Sequence, residues 1–514
     1  MNQRSTTCSH AAKFFIACLT LTISLPASAQ SAGVAANPED RTLAESVQEL
    51  RQQVQELRTA VAEMKSEAAE YRAQSAELRK ELQNIRAMPS EGQTAAVTAQ
   101  APAGHQIPER VSSLEETTQL LQNEIRTQYQ SKVESASKYR VRLSGLALLN
   151  LFDNRGSVDN LDIPTYATPS SAYGATNAFG ATLRQSELGL EVFGPQLAGA
   201  RTSGEVQVDF GGGFPSAALD GINTGLVRLR IASARLDWAK SSIVVGQDSL
   251  FTSPQSPTSF ASLIIPSFGY SGNLWAWTPQ VRFEHRFDLS DDQSVTVQGG
   301  ILDNLTGEAS RTSNRQPQAG EASGQPSYAV RTAWSRTLHG RPVSVGGSGY
   351  YSRQDWGFGW DVDGWAATAD WRVPITSKIE LSGEVYRGKA VGGLGGGIGQ
   401  SILFSGNPAN PYSAFRPVNS AGGWSQIKFS ATPRLEFNGV FGMDNPFARD
   451  TLAFASPIGT YQSVLTNNKS EMMNFIYRPR SDLLFSGEYR HLRTSEVGSF
   501  YTADQINLMM GVLF

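Results

Sequence analysis

The chain has 514 residues, a formal net charge of −3 and a mean hydropathy of −0.28. Charged residues are 18% of it, against roughly 25% in typical soluble proteins, while glycine (48) and phenylalanine (24) are plentiful. Both cysteines, Cys8 and Cys18, lie at the extreme N-terminus, which excludes a disulfide scaffold, a cysteine zinc site and a cysteine nucleophile in the body of the chain; no run of about 18 apolar residues follows residue 30, which excludes a helical membrane protein.

The first 29 residues read as an export signal. Arg4 and Lys13 supply positive charge, residues 14–25 (FFIACLTLTISL) are apolar, and Ala27-Ser28-Ala29 is a small-residue cleavage site. Cleavage after Ala29 removes both cysteines, which suits an oxidising compartment. The rest divides by charge. Residues 30–137 hold 11 Lys and Arg against 16 Asp and Glu; residues 138–514 hold 31 of each, and all nine tryptophans.

Residues 30–86 are expected to form an α-helical coiled coil. From Leu43 through Val47, Leu50, Val54, Leu57, Val61, Met64, Ala68, Tyr71, Ser75, Leu78 and Leu82 to Ile85 the apolar seam keeps an unbroken 4-3 spacing with no Gly or Pro inside it. Valine at a and leucine at d lean towards a parallel dimer, but Ala68, Tyr71 and Ser75 interrupt that rule, so the heptads leave dimer and trimer open. An Ala/Pro/Gly linker (87–110) follows, then a shorter helical segment (111–137) with Val111, Leu114, Thr118, Leu121 and Ile125 in register.

From residue 138 onward the period changes to two. In 200–210, Ala200, Thr202, Gly204, Val206, Val208 and Phe210 alternate with Arg201, Ser203, Glu205, Gln207 and Asp209. The pattern predicts about sixteen antiparallel strands, at 139–151, 181–193, 200–210, 226–238, 243–250, 279–288, 294–303, 326–337, 343–353, 360–372, 378–389, 423–432, 434–443, 469–478, 482–493 and 501–514. Links after even-numbered strands are short, such as AKSS (239–242) and HGRP (339–342); those after odd-numbered strands are mostly long, such as 152–180, 251–278 and 390–422. Short turns at one end and long loops at the other are the plan of an all-β transmembrane barrel of the outer membrane. An even strand count leaves both termini on the periplasmic side. The last strand presents Ile506, Leu508, Met510 and Val512 on one face and ends in Phe514, which resembles the signal read by the barrel assembly machinery. Trp238, Trp360, Trp371, Tyr386, Trp424 and Tyr477 lie near strand ends and are expected to form interfacial girdles.

In such a barrel the apolar face meets lipid and the charged face lines an aqueous lumen. The barrel region holds 25 Arg and only 6 Lys. Arg140, Arg142, Arg184, Arg201, Arg228, Arg230, Arg282 and Arg331 fall on the expected lumenal face, with Glu187, Glu191, Glu205, Asp209, Glu284, Glu384 and Glu488. The guanidinium fork suits passing carboxylates or phosphates. The alternative is that these arginines pair with lumenal carboxylates and stiffen the wall; the sequence leaves both open. The loop 251–278 (FTSPQSPTSFASLIIPSFGYSGNLWAWT) has no charge and carries Pro254, Pro257, Phe260 and Pro266, a composition suited to a stiff loop folded into the lumen or over its rim. The Gly-rich stretch in 390–422 is expected either to move or to bury itself on neighbouring loops.

The order of Leu183-Arg184-Gln185-Ser186-Glu187-Leu188, Glu205-Val206-Gln207-Val208-Asp209-Phe210, Arg228-Leu229-Arg230-Ile231-Ala232 and Val244-Val245-Gly246-Gln247-Asp248 resembles the early strands of the DcaP-type outer-membrane porins. With the signal, the coil and the terminal Phe514, the likeness extends in architecture over the mature chain. It implies a homotrimer joined through barrel and coil, passing small dicarboxylates and related anions, with Arg184, Arg228 and Arg230 lumenal near the constriction. Phosphate-selective porins have a similar plan. Apart from lipid, the assembly machinery and small solutes, no partner is expected: no nucleic acid, cofactor or metal. His285, His339 and His491 do not assemble an enzyme's base and acid by spacing, so no catalysis is expected. The competing class of function is structural, a barrel anchoring a periplasmic coil as an envelope spacer.

Overall fold

The computed structural model describes residues 140–170, 176–214, 225–308, 315–338, 340–406, 410–452 and 464–514. The export signal, coiled coil, linker and second heptad run lie outside the described residues. Sixteen antiparallel strands follow in chain order: β1 (Arg140–Arg155), β2 in two segments (Asn177–Thr182 and Glu187–Leu197), β3 (Ala200–Asp209), β4 (Arg228–Asp237), β5 (Ser241–Ser249), β6 (Trp277–Ser290), β7 (Gln293–Leu302) and β8 (Ser327–Leu338). The second half comprises β9 (Arg341–Asp355), β10 (Asp361–Pro374), β11 (Ile379–Lys389), β12 (Asn419–Thr432), β13 (Leu435–Pro446), β14 (Leu465–Arg480), β15 (Leu483–Glu496) and β16 (Ser499–Leu513). Each strand pairs with the next, and β1 pairs with β16 from Leu146↔Leu513 to Arg155↔Asp504, which closes the barrel and leaves no open edge.

The alternation seen in the sequence becomes two chemically distinct faces. On β16, Ile506, Leu508, Met510 and Val512 are 44–57% exposed, whereas Gln505, Asn507 and Met509 between them are at most 4% exposed. Exposed Leu149 and Leu151, Val281 and Phe283, Met473 and Phe475 repeat the pattern on other strands, so an apolar band faces outward and polar groups face inward. Phe514 exchanges backbone hydrogen bonds with Gly145 and seals the seam at the short-turn end.

The links at that end are two to four residues long. Between β2 and β3, Ala198 and Gly199 have φ of 49° and 77°, the geometry of a hairpin turn whose twist matches its strands. The opposite end carries the long loops L1 (156–176), L2 (210–227), L3 (250–276), L4 (303–326), L6 (390–418) and L7 (447–464), with short L5 (356–360) and L8 (497–498). Four strands differ from expectation by four residues or more: β1 runs on to Arg155 instead of 151 and β14 starts at Leu465 instead of 469, and β2 and β12 differ as well. The second strand is longer and broken at 183–186, where its first segment pairs with Asn150–Arg155 and its second with Arg140–Leu146. The twelfth begins at Asn419 instead of 423, because Gly422 and Gly423 carry no side chains to reveal the alternation. The Gly-rich part of L6, residues 390–403, is largely buried, with its Gly392–Leu394 turn against L3; a hairpin of Ile402–Ser405 with Ala414–Pro417 follows, and its described tip residues such as Tyr412 are exposed.

Three of the expected girdle aromatics are not on the outside. Tyr386 (4% exposed) and Trp424 (3%) point inward, and Trp360 (9%) packs on Phe404 and Phe415 of the L6 hairpin. Their distance from strand ends was right for a girdle, but their parity is inward: Tyr386 follows the outward Val385. Trp371 and Tyr477 do face outward near the short-turn end, where Trp238 also caps the turn by donating to Ala198 O at 3.0 Å.

L3 approaches the wall closely enough to require glycine. Gly272 (φ 99°) lies against Gly423, and a Cβ there would sit 2.3–2.6 Å from that backbone; one on Gly442 would sit 2.4 Å from Phe268. Gly272→Val is therefore expected to detach L3 while leaving the sheet, which L3 does not help to pair. Circular dichroism should stay β-rich and limited proteolysis should cut within 250–276 faster; an unchanged cleavage rate would contradict the close approach.

Candidate functional site

L3 leaves β5 at the long-loop end, descends into the barrel and crosses it. Thr252 O accepts from Ser348 and Thr368 hydroxyls, both at 2.8 Å, and Gln255 donates to Asp370 at 3.2 Å. Gln426 receives the Thr258 N–H at 2.7 Å, Asn474 donates to Thr258 O at 2.7 Å, and Ser259 donates to Glu488 at 2.5 Å. On the far side, the Gln185 amide donates to Ala261 O at 2.6 Å and accepts from Leu263 and Ile264 N–H at 2.7 and 3.1 Å. Arg490 donates to Ser262 at 2.6 Å, and Asn468 to Tyr270 O at 2.9 Å. Apolar contacts complete the seat: Phe268 with Trp424, Val440 and Met472, and Phe260, Ala261 and Leu263 with Leu146, Leu148, Leu484 and Met509.

Of the L3 residues singled out by composition, Pro257 is buried, Pro254 is exposed, and Phe260 and Pro266 are half-buried. Phe260 also lies 5.6 Å beneath the Arg478 guanidinium. The loop therefore covers one half of the interior. Lumen-facing Asp370, Gln426, Asn438, Ser470, Asn474, Glu488 and Arg490, on β10 and β12–β15, are all at most 6% exposed. On β1–β7 the inward Arg142, Glu191, Glu205, Arg235, Glu284 and Gln298 remain partly exposed, and this is the open side; near the short turns of β11–β14 the inward Glu380, Lys428, Glu436 and Arg478 are also partly exposed, so the cover that L3 provides stops short of that end.

The expected arginines divide by position. Arg140 and Arg201 sit on the inward face at the short-turn end, exposed and without an ion pair among the described residues. Arg142 pairs with Glu191. Arg228 grips Asp209 with two bonds at 3.1 and 2.6 Å and donates to Ile264 O of L3 at 2.6 Å. Arg230 pairs with Glu187 and lies 3.6 Å from Asp209. Both guanidiniums stack on Trp277, at 4.9 and 4.7 Å. Arg282 is held between Asp248 at 3.2 Å and Glu284 at 2.8 Å, and Arg331 by Asp370 at 2.8 Å. Arg184 departs from the wall. It lies in the break of β2, 5% exposed, bonded to Asp162 of L1 at 2.8 Å and covered by Phe214. The break turns Gln185 inward to receive L3, which displaces Arg184 towards L1. Arg235, which the sequence reading passed over, joins the open wall through Asp237 at 2.7 Å and Glu284 at 3.2 Å.

Pairing does not make this wall featureless, because the partners are unequally exposed. Side-chain exposure is 44% for Arg142 against 29% for Glu191, 28% for Arg228 against 0% for Asp209, and 39% for Arg235 against 26% for Asp237. The more deeply set Arg282 is less exposed than both its partners, and Arg230 is less exposed than Glu187 though more than Asp209. In the Arg142, Arg228 and Arg235 pairs the guanidinium is the more exposed partner, while Glu205 stands on the same wall, partly exposed and without an ion pair among the described residues.

The residues missed by sequence reasoning are mostly uncharged: Gln185, Gln426, Asn438, Asn468 and Asn474. Their signal was present, since neutral amides at inward positions suit a wall covered by backbone better than one facing water. The histidines form no catalytic array among the described residues. His285 meets Ser241 at 2.7 Å on the outer face, between Phe283 and Phe287 and with no carboxylate bonded to it; His491 meets Asp504 at 2.8 Å, with no serine bonded to it. His339 lies outside the described residues.

Gln185→Leu removes three hydrogen bonds to L3 and leaves its backbone groups unsatisfied, a loss of about 1–3 kcal/mol for each buried group. The variant is expected to loosen L3 and widen the open side, read as a larger and noisier single-channel conductance; wild-type conductance would contradict the anchoring role.

No protein-family model and no curated protein sequence matches the chain. Among solved structures, the outer membrane channel DcaP of Acinetobacter baumannii is similar over 75% of this chain and all of that one, with 16% identity and a TM-score of 0.53. Pseudomonas putida OprB (12% identity, 73% of this chain and 94% of that one, TM-score 0.46) and an anion-selective porin from Comamonas acidovorans (10%, 73% and 100%, 0.45) resemble it more distantly. The chain has the closed sixteen-stranded barrel fold of the outer-membrane porins.

Proposed function

We propose that the protein is an outer-membrane porin for passive diffusion of small polar solutes, with a bias to organic anions such as dicarboxylates. The observation that carries this reading is the unequal exposure on the open side, where Arg142, Arg228 and Arg235 face the lumen in front of carboxylates that lie deeper. Arg140 and Arg201 add cations at one mouth, without an ion pair among the described residues. A solute entering from the long-loop end passes between L3 and the wall of β1–β7. A carboxylate borrows guanidinium hydrogen-bond donors in succession and is never held by a fully free fork, so it is attracted without being trapped. Trp277 gives the same passage an apolar platform beneath Arg228 and Arg230.

In this reading Ala29 ends a cleaved signal, residues 30–86 stand in the periplasm as a coil that joins three copies, and Phe514 is the assembly signal. The protein is a channel and not an enzyme. An envelope anchor remains the rival reading, and it predicts a folded barrel that does not conduct.

The test is single-channel recording in a planar bilayer under a salt gradient. The expected result is an anion-selective reversal potential and block by succinate. Combining Arg142→Gln, Arg228→Gln and Arg235→Gln should shift the permeability ratio towards cations. Each charge at 4–8 Å in water contributes about 0.5–1 kcal/mol, roughly two- to fivefold. An inserted but silent barrel would overturn the porin reading, and selectivity unchanged in the triple variant would overturn the role of the arginines.

A further inference from the structure

The outer face of the barrel changes character at the long-loop end of β11. Val385 is 46% exposed in the apolar band, but the next two outward positions are Arg387 and Lys389. Arg387 is fixed in place: it donates to Gly388 O, to Ser420 O at 2.8 Å and to Asn419 Oδ1 at 3.3 Å, and stacks 4.2 Å from Phe447 and 5.4 Å from Trp365. Arg449 shares the Phe447 ring at 5.6 Å, and Arg416 donates to Arg449 O at 2.8 Å.

One carboxylate, Asp450, serves this group. It lies 3.5 Å from Arg416 and 3.8 Å from Arg449, and its other oxygen already accepts two bonds from Asn419. Arg387 has no carboxylate partner among the described residues. Asp363, the acidic neighbour of Lys389, is bonded to Arg353 and Tyr351. The adjoining sequences 407–409 and 453–463 contain no Asp or Glu that could supply another. Arg387, Arg416 and Arg449 gather around one carboxylate, with Lys389 two residues along the strand beside an Asp363 already engaged by Arg353; these cations repel one another, and two of them are held on a single aromatic ring. An anion with several oxygens relieves that repulsion, and phosphate matches the guanidinium fork.

We propose that Arg387, Lys389, Arg416 and Arg449 form a phosphate-binding site on the lipid-facing rim, and that its occupant is the phosphorylated headgroup of an outer-leaflet lipid. The site opens sideways, not into the lumen. Below it the exposed Val385 and Phe441 continue the apolar band along which acyl chains would lie, and Trp365 marks the interface. The proposal rests on the barrel sitting in an outer membrane, but not on its conducting.

The test uses the full-length protein in detergent and native mass spectrometry, with diphosphoryl lipid A and inorganic phosphate as separate probes. Wild type should retain the lipid, and R387Q/R449Q should bind it at least about tenfold more weakly, with single-channel conductance unchanged because neither residue faces the lumen. Arg449→Gln alone, on an exposed turn, provides a mild variant that tests the same charge should the double variant fail to fold. Equal lipid retention by wild type and variants would overturn the site. Inorganic phosphate bound as tightly as the lipid would overturn the lipid assignment. A protein that retains lipid but carries no current would contradict the porin reading and leave this site standing.

Discussion

A loop of twenty-seven residues, 250–276, lies inside a closed barrel, and its backbone N–H and C=O groups must find partners there. That demand organises the rest of the interior. Gln185, Gln426, Asn474, Asn468, Ser348 and Thr368 each bond directly to the backbone of the loop, from strands or strand breaks spread around the circumference. Glycines 272, 423 and 442 exist where loop and wall come too close for a side chain. L6 then packs over L3 from the long-loop end, so half the lumen behaves as a protein core and half remains a passage.

The passage takes its electrostatic character from the same division. On the covered half, charges such as Arg331 with Asp370 and Arg490 with Glu488 are desolvated and serve as structural pairs. On the open half, Arg142, Arg228 and Arg235 keep their carboxylates behind or beside them, so neutralisation in number coexists with guanidiniums that are the more exposed partners. The lumenal arginines thus differ in setting: Arg331 is a buried structural pair, whereas Arg142 and Arg235 remain accessible from the lumen, which is what the proposed anion passage needs.

Much of the fold was legible because two strong rules coincide. Period-two alternation placed the strands, and the alternation of short and long links gave an even, sixteen-stranded barrel. The inward parity of Arg142, Arg228, Arg230 and Arg282 followed from the same rule. What escaped it depended on tertiary contacts. The break in β2 buried Arg184, because Gln185 is required at the wall to receive L3, and no periodicity announces that. Tyr386 and Trp424 were misplaced in a girdle because proximity to a strand end says nothing about parity. Gly422 and Gly423 hid the start of β12. The path of L3 was suggested by its uncharged, Pro-rich composition, but its anchors lie up to 229 residues away in sequence, as for Ser259 and Glu488.

The central claim is that L3 divides the lumen into a covered half and a conducting half. The described residues contain no cysteine, so single cysteines report cleanly on access. The direct measurement is block of single-channel current by a negatively charged thiol reagent, with cysteine placed at Ser233 on the open side or at Asn438 on the covered side. The account predicts prompt block at 233 and none at 438. Equal block at both positions would show that L3 does not hold the wall, and would contradict it.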